Sequence, residues 1–268
     1  MTGGLGGAPV ALPHRRIIVT RPAEQASSWV DPLRAAGWAA ESLPLLEIAP
    51  LLGPGERRAA QQRLQGCYAV MFVSGNAVDH FLQGWSGPGL DSSLRWLASG
   101  PGTAARLRAF GVPPAQIDEP PADAGQFDSE ALWHAIAHRP WAGRRVLLVR
   151  GRSGPPGAGT GRQWLADQLE QAGAQVDAIV VYERRAPDWS PTDRQRIKTA
   201  CGDGSLWLFS SSEAIAHLPA DIDCSAALAL ATHPRIAQAA QARGFAQVWQ
   251  SRPALPDVMA SIKSASHE

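Results

Sequence analysis

The chain has 268 residues, 45% of them hydrophobic and 18% charged, and its net charge is +1. That length leaves room for two domains, each burying its own core. The near-neutral balance excludes a domain-wide basic surface for nucleic acid, and no apolar run reaches the roughly 20 residues that cross a bilayer.

In chain order, residues 1–14 are Gly/Ala/Pro-rich without a basic start, which predicts a disordered tail rather than a signal peptide. Ile17-Ile18-Val19-Thr20-Arg21-Pro22 reads as a short buried strand, followed by a helix to about Ala36 that Gly37 ends. Residues 40–51 are extended and hold Pro44 and Pro50, which suits an edge or a connector. A helix over Gly55–Gln65 precedes a strand ending at Phe72. That strand runs into Ser74-Gly75-Asn76 and an amphipathic helix to Leu82. Trp96-Leu97-Ala98 is the next strand, turning at Gly100-Pro101-Gly102-Thr103 into an Ala/Arg-rich helix that stops at Gly111.

Pro113–Gly125 reads as a surface loop and Phe127–His138 as a helix. Val146–Val149 is a strand entering Arg150-Gly151, a Gly-rich loop over Gly151–Gly161 and a helix from Gln163 to Ala172. Residues 175–187 are extended, and helices follow over Pro191–Ala200 and Leu255–Lys263. Between them lie two strands, Leu206–Phe209 before Ser210-Ser211-Ser212 and Leu228–Ala231 before Thr232-His233-Pro234-Arg235. Strands alternating with helices imply βαβ units and parallel sheets covered on both faces.

Three of these units occur twice. Tyr68–Leu82 returns as Leu206–Leu218, Trp96–Thr103 as Leu228–Arg235, and Ile17–Pro22 as Val146–Gly151. A repeat this long is a duplicated domain, not a solenoid of units about 20–50 residues long. Two like domains make a cleft, the usual place for a ligand.

Cys67, Cys201 and Cys224 are too few for a disulfide framework, no Cys-x-x-Cys or His-x-x-x-His spacing suggests a metal, and reduced cytoplasmic thiols are expected. Gly100–Ala105 imitates a dinucleotide fingerprint with Asp118 downstream, but Pro101 stiffens the turn and the duplicate lacks the glycines. Gly154–Arg162 lacks the Gly-Lys-Ser/Thr of a P-loop. The small polar groups at strand ends remain: Ser74, Gly75, Asn76, Gly102, Thr103, Ser210, Ser211, Ser212, Thr232 and His233. Free amides at helix starts attract anions without net positive charge. Arg21, Arg150 and Arg235 can add bidentate carboxylate contacts. The same Ser and Thr residues also serve as helix caps, and His233 before Pro234 shapes a turn.

The Thr-Arg-Pro end of the first strand, Leu45–Ile48, Phe72–Val78, Gly100–Ala104, Val149-Arg150-Gly151, Val181-Tyr182-Glu183-Arg184 and His233–Ala237 occur in one order. That order resembles the uroporphyrinogen-III synthase family over roughly Arg15 to Lys263. The resemblance implies two similar flavodoxin-like parallel-sheet α/β domains joined by a two-stranded β-ladder, with the active site in the interdomain cleft. Domain one would be 15–39 plus 188–268, domain two 52–174, and the crossing strands 40–51 and 175–187. It further implies a cytoplasmic, cofactor-free monomer that cyclises hydroxymethylbilane with inversion of the terminal pyrrole, and that receives it by transient handover from the preceding enzyme. Tyr182 matches the family's tyrosine and would face the cleft as the acid assisting hydroxyl loss; Gly151 and the groups above would bind substrate. A two-lobed anion or tetrapyrrole binding or sensing protein without catalysis is the alternative.

Overall fold

A computed structural model describes residues 15–85, 93–121, 129–154 and 163–265. The tail expected over 1–14 and residues 155–161 of the expected Gly-rich loop lie outside the described residues. The chain opens with β1 (Arg16–Val19), α1 (Ala23–Ala35) and β2 (Ala39–Ser42). It continues through β3 (Glu47–Pro50), α2 (Pro54–Gln62), β4 (Ala69–Phe72), α3 (Gly75–Leu82), β5 (Arg95–Ala98) and α4 (Pro101–Ala109). Next come β6 (Ile117–Asp118), α5 (Ser129–Ile136), β7 (Arg145–Ser153), α6 (Gln163–Gln171) and β8 (Gln175–Arg185). The last stretch holds α7 (Pro191–Gly202), β9 (Leu206–Phe209), α8 (Ser212–Ala216), β10 (Leu228–Ala231), α9 (Pro234–Ala242), β11 (Gln247–Gln250) and α10 (Leu255–Ala265).

Two compact units result. The first takes the chain up to Glu47 and again from Ala186; the second is Ile48–Arg185. In the first, the sheet order is β2-β1-β9-β10-β11, all parallel. Numbered along the chain within the unit, that is 2-1-3-4-5, the flavodoxin-like order, whose direction of winding switches between β1 and β9. One face packs Ile17, Val19, Leu206, Leu208, Leu228 and Leu230 against Trp29, Val30 and Leu33 of α1 and Val258 and Ile262 of α10. Trp207, Phe209 and Phe245 form an aromatic cluster, with ring centroids 5.3–6.2 Å apart.

In the second unit the order is β3-β8-β7-β4-β5-β6. Taking β7 as first strand, β8-β7-β4-β5-β6 is again 2-1-3-4-5, with β3 added outside β8. The two units share one topology in circularly permuted form, and this is the structural origin of the repeat. β1, β2, β9, β10 and β11 correspond to β7, β8, β4, β5 and β6. The permuted unit switches direction between β7 and β4, which pair in parallel from Ala69↔Val146 to Phe72↔Val149. β4 is buried at every position, as a strand covered on both faces must be. Gly37 and Gly173 end the equivalent helices α1 and α6 with φ near +90°, a conformation that favours glycine.

Two expectations are corrected. Residues 151–153 continue β7 instead of opening a loop. The Pro113–Gly125 stretch contributes the edge strand β6, paired with β5 through Trp96↔Ile117. The extended stretch from 175 forms β8 (Gln175–Arg185), which runs inside the sheet between β7 and β3; it holds no proline, so every residue can donate to the ladder. β3 lies beside it, and Leu51 N donates to Val181 O at 3.1 Å.

Candidate active site

Parallel sheets of this order bind ligands beyond the C-terminal strand ends at the switch point. In the second unit the residues there are Ser74 after β4, Arg150 and Gly151 in β7, and Tyr182 in β8. The β7–β8 ladder slips at this level: Arg150 opposes Val180 but Gly151 opposes Tyr182, leaving Val181 as the extra residue of a bulge. The bulge re-aims Tyr182. Its ring lies over Gly151 so closely that a Cβ there would sit 2.2 Å from two ring carbons. Only a residue without a side chain lets the ring cross β7 and bring its hydroxyl to β4. Tyr182 Oη and Ser74 Oγ are 3.0 Å apart.

Three further contacts fix this pair. Arg184 Nη2 donates to Tyr182 Oη at 3.2 Å, and its guanidinium lies 5.6 Å from the ring centroid. His80, one turn into α3, stacks on the ring at 5.6 Å and 29°. Ser74 caps α3, its Oγ accepting from Ala77 N at 3.2 Å. Tyr182 is only 1% exposed, and Ser74 is half-buried.

The other residues expected in this unit sit around that group. Gly75 and Asn76 form the half-buried first turn of α3, where a Cβ on Gly75 would be 3.2 Å from Arg106 Cγ of α4. Gly102 is exposed in the first turn of α4. Thr103 is buried, its Oγ1 3.3 Å from Ser99 Oγ, which donates to Val73 O at 3.0 Å. That hydroxyl pair ties the end of β4 to α4.

Arg150 is half-buried, its Nε has no partner, and among the described residues no carboxylate pairs with it. Neighbouring Arg152 differs, pairing with Glu183 at 3.1 Å. Arg21, the equivalent of Arg150 in the first unit, repeats the arrangement. Its Nε also lacks a partner, Nη2 donates to Gln25 at 3.1 Å, and the guanidinium lies 4.9 Å from the Trp29 ring. Burial pulls its pKa down from the ordinary arginine value. Each unit therefore holds a partly desolvated cation toward the C-terminal end of its first topological strand, within β7 for Arg150 and just past β1 for Arg21, with no described carboxylate against it. An anion arriving there gains charge-assisted hydrogen bonds.

Beside Arg21 in the first unit, Thr20 donates its buried hydroxyl to Leu208 O at 2.7 Å and joins the ends of β1 and β9. Ser210 and Ser211 are half-buried and Ser212 exposed; Ser211 Oγ accepts from Glu213 N at 3.2 Å. Thr232 is half-buried after β10, and His233 and Arg235 are exposed. His233 Nδ1 accepts from Arg235 N at 3.1 Å and so caps α9. Sequence reasoning missed Arg184 and His80 as partners of Tyr182. Arg184 was legible, being two residues on and so on the same face of a strand; the His80 stack depends on tertiary packing. Among the described residues no group of three or more His, Cys, Asp or Glu could hold a metal, and no helix is long and apolar enough to cross a membrane.

The two-unit parallel fold agrees with the comparisons. The family described as "Uroporphyrinogen-III synthase HemD" matches residues 27–260. The chain belongs to the uroporphyrinogen-III synthase family. A curated uroporphyrinogen-III synthase of Synechococcus elongatus is 31% identical over 188 residues, covering 67% of this chain and 64% of the relative. The match thus spans just under two thirds of that relative's length. Two solved structures share the fold. A mutant uroporphyrinogen III synthase of Thermus thermophilus has a TM-score of 0.58 at 17% identity, covering 94% of this chain and 99% of that one. The uroporphyrinogen-III synthetase of Helicobacter pylori has a TM-score of 0.59 at 17% identity, with 93% and 99% covered.

Proposed function

We propose that this chain is a uroporphyrinogen-III synthase, a cyclising lyase that converts hydroxymethylbilane to uroporphyrinogen III with loss of water. Membership of the family over residues 27–260 carries the reading. The substrate is a linear tetrapyrrole with eight carboxylates. Loss of its terminal hydroxyl gives an azafulvene, and the substituted carbon of the last pyrrole attacks it. The spiro intermediate then fragments and recloses with that ring inverted. Unaided closure leaves the ring uninverted, so the protein's task is to hold one conformer near attack.

The site chemistry suits that task. Arg21 and Arg150, cations without described carboxylate partners, take substrate carboxylates, as do exposed Arg235 and the amides at Ser74–Asn76, Gly102 and Ser210–Ser212. Tyr182 supplies a phenolic proton at the strand end where Ser74 stands. The reaction needs no metal or redox cofactor. We place the enzyme in the cytoplasm as a monomer that receives its reactive substrate by transient handover from the preceding enzyme.

The test is to supply hydroxymethylbilane and separate the product isomers. Type III as the main product is expected. Exclusive type I product overturns the assignment and leaves a binding or sensing protein.

A further inference from the structure

The hydrogen-bond arithmetic around Tyr182 assigns the last step of proton delivery to a different residue. Ser74 Oγ accepts one bond from Ala77 N, and Tyr182 Oη accepts one from Arg184 Nη2. A hydroxyl has one donor and two acceptor sites. Were Ser74 to donate to Tyr182, the buried phenolic proton would be left without an acceptor among the described residues, and unmade hydrogen bonds are costly. With Tyr182 donating to Ser74, that proton is satisfied. Ser74 then accepts twice, and its own proton is the one left over. Tyr182 is 1% exposed and Ser74 half-buried, so the group nearer solvent carries the spare proton.

We propose that Ser74 is the catalytic donor to the departing hydroxyl, and that Tyr182 and Arg184 are positioning residues behind it. The proposal rests on the function given above. As the substrate C–O bond breaks, its electron pair goes to oxygen, which takes the Ser74 proton and leaves as water. The Tyr182 proton passes to Ser74 Oγ, and the resulting phenolate faces the Arg184 guanidinium. The azafulvenium then gives up its pyrrole N–H proton, which returns through Ser74 to Tyr182 and leaves both residues as they began. Gly151 and His80 hold the ring so that the 3.0 Å contact persists through the cycle.

Four variants of the full chain test this against hydroxymethylbilane: Ser74→Gly, Ser74→Thr, Tyr182→Phe and the Ser74→Gly/Tyr182→Phe double. Glycine is a tolerated cap, so Ser74→Gly keeps α3; thermal melting checks that all four fold. Ser74→Gly and Tyr182→Phe should each lower kcat by roughly 100-fold, the scale of one general acid, with KM nearly unchanged. Ser74→Thr, which keeps hydroxyl and cap, should restore most of the rate. The double should be no slower than the slower single, because both changes cut one chain. Full turnover in Ser74→Gly beside a slow Tyr182→Phe, or losses that multiply in the double, would overturn the relay while leaving the function intact. A wild-type protein that yields only type I product would overturn the function itself.

Discussion

The Tyr182 ring occupies the space that any side chain on Gly151 would need. The two residues face each other across the β7–β8 ladder, and a Cβ on Gly151 would lie 2.2 Å from two ring carbons. Gly151→Ala should therefore expel the ring and break its contact with Ser74. Overpacking of this kind costs about 1–3 kcal/mol, and activity should fall with it. Thermal melting and turnover of Gly151→Ala, Tyr182→Ala and the double check the coupling. Once the ring is absent, the added methyl should have little further effect on either measurement.

Arg21 and Arg150 should behave as ligand groups and not as structural ones. A half-buried cation without a carboxylate partner does little for stability, so replacing it with an apolar residue of similar length is tolerated. Arg21→Met should leave the melting temperature within about 2 °C of the parent, or above it. Its KM should rise by about tenfold, the equivalent of one lost charge-assisted hydrogen bond. Arg150→Met should do the same. A fall in stability with unchanged KM would mark either arginine as structural.

The buried thiols should be silent in the native protein. Cys201 Sγ and Cys224 Sγ lie 2.7 Å apart, and neither residue is exposed. The hydrogen bond they share, together with burial, pushes the Cys201 thiol far above its usual range and draws the Cys224 thiol down, so it is the burial of both sulfurs that keeps a reagent from them. A thiol reagent near neutral pH should therefore reach Cys67 alone, and modify it slowly, since thiolate is the reactive form and burial raises that thiol. Counting labelled thiols before and after denaturant should give one and then three. Rapid native labelling at all three would refute this.

Acid should weaken the first unit through Asp203. Burial disfavours its charge, but hydrogen bonds from Ser205 and from Arg16 of β1 outweigh that and hold its pKa below the usual carboxylate value. A depressed folded pKa gives stability that is present above the unfolded pKa, near 3.9, and lost as pH falls through the folded one. The site is partly solvated, so Asp203→Asn should cost about 1 kcal/mol or less at pH 7. That difference should vanish below about pH 3. Urea midpoints of both proteins across pH 3–7 check it.

What the sequence made legible follows from which forces are local. β1, β4, β7, β9 and β10 stand out because strands buried on both faces are continuous apolar runs, and their polar exits mark the helix starts. β6 and β11 do not. The first is two residues between Pro113 and Pro120, and the second has glutamine at both ends. Their pairing comes from the neighbouring strand and not from their own pattern. Tyr182 and Ser74 were each legible as site residues, yet their contact joins positions 108 apart and depends on a one-residue bulge. A bulge changes register without changing composition, so no periodicity announces it.

The circular permutation sets an order of assembly. The second unit is one continuous stretch, while β1, α1 and β2 of the first lack the partner β9 until the ribosome has added roughly 160 intervening residues. At about 5–20 residues per second that is a wait on the order of ten seconds. The early piece must stay soluble with one flank of β1 unpaired, so the inserted half is free to finish folding before its host can close around the late strands.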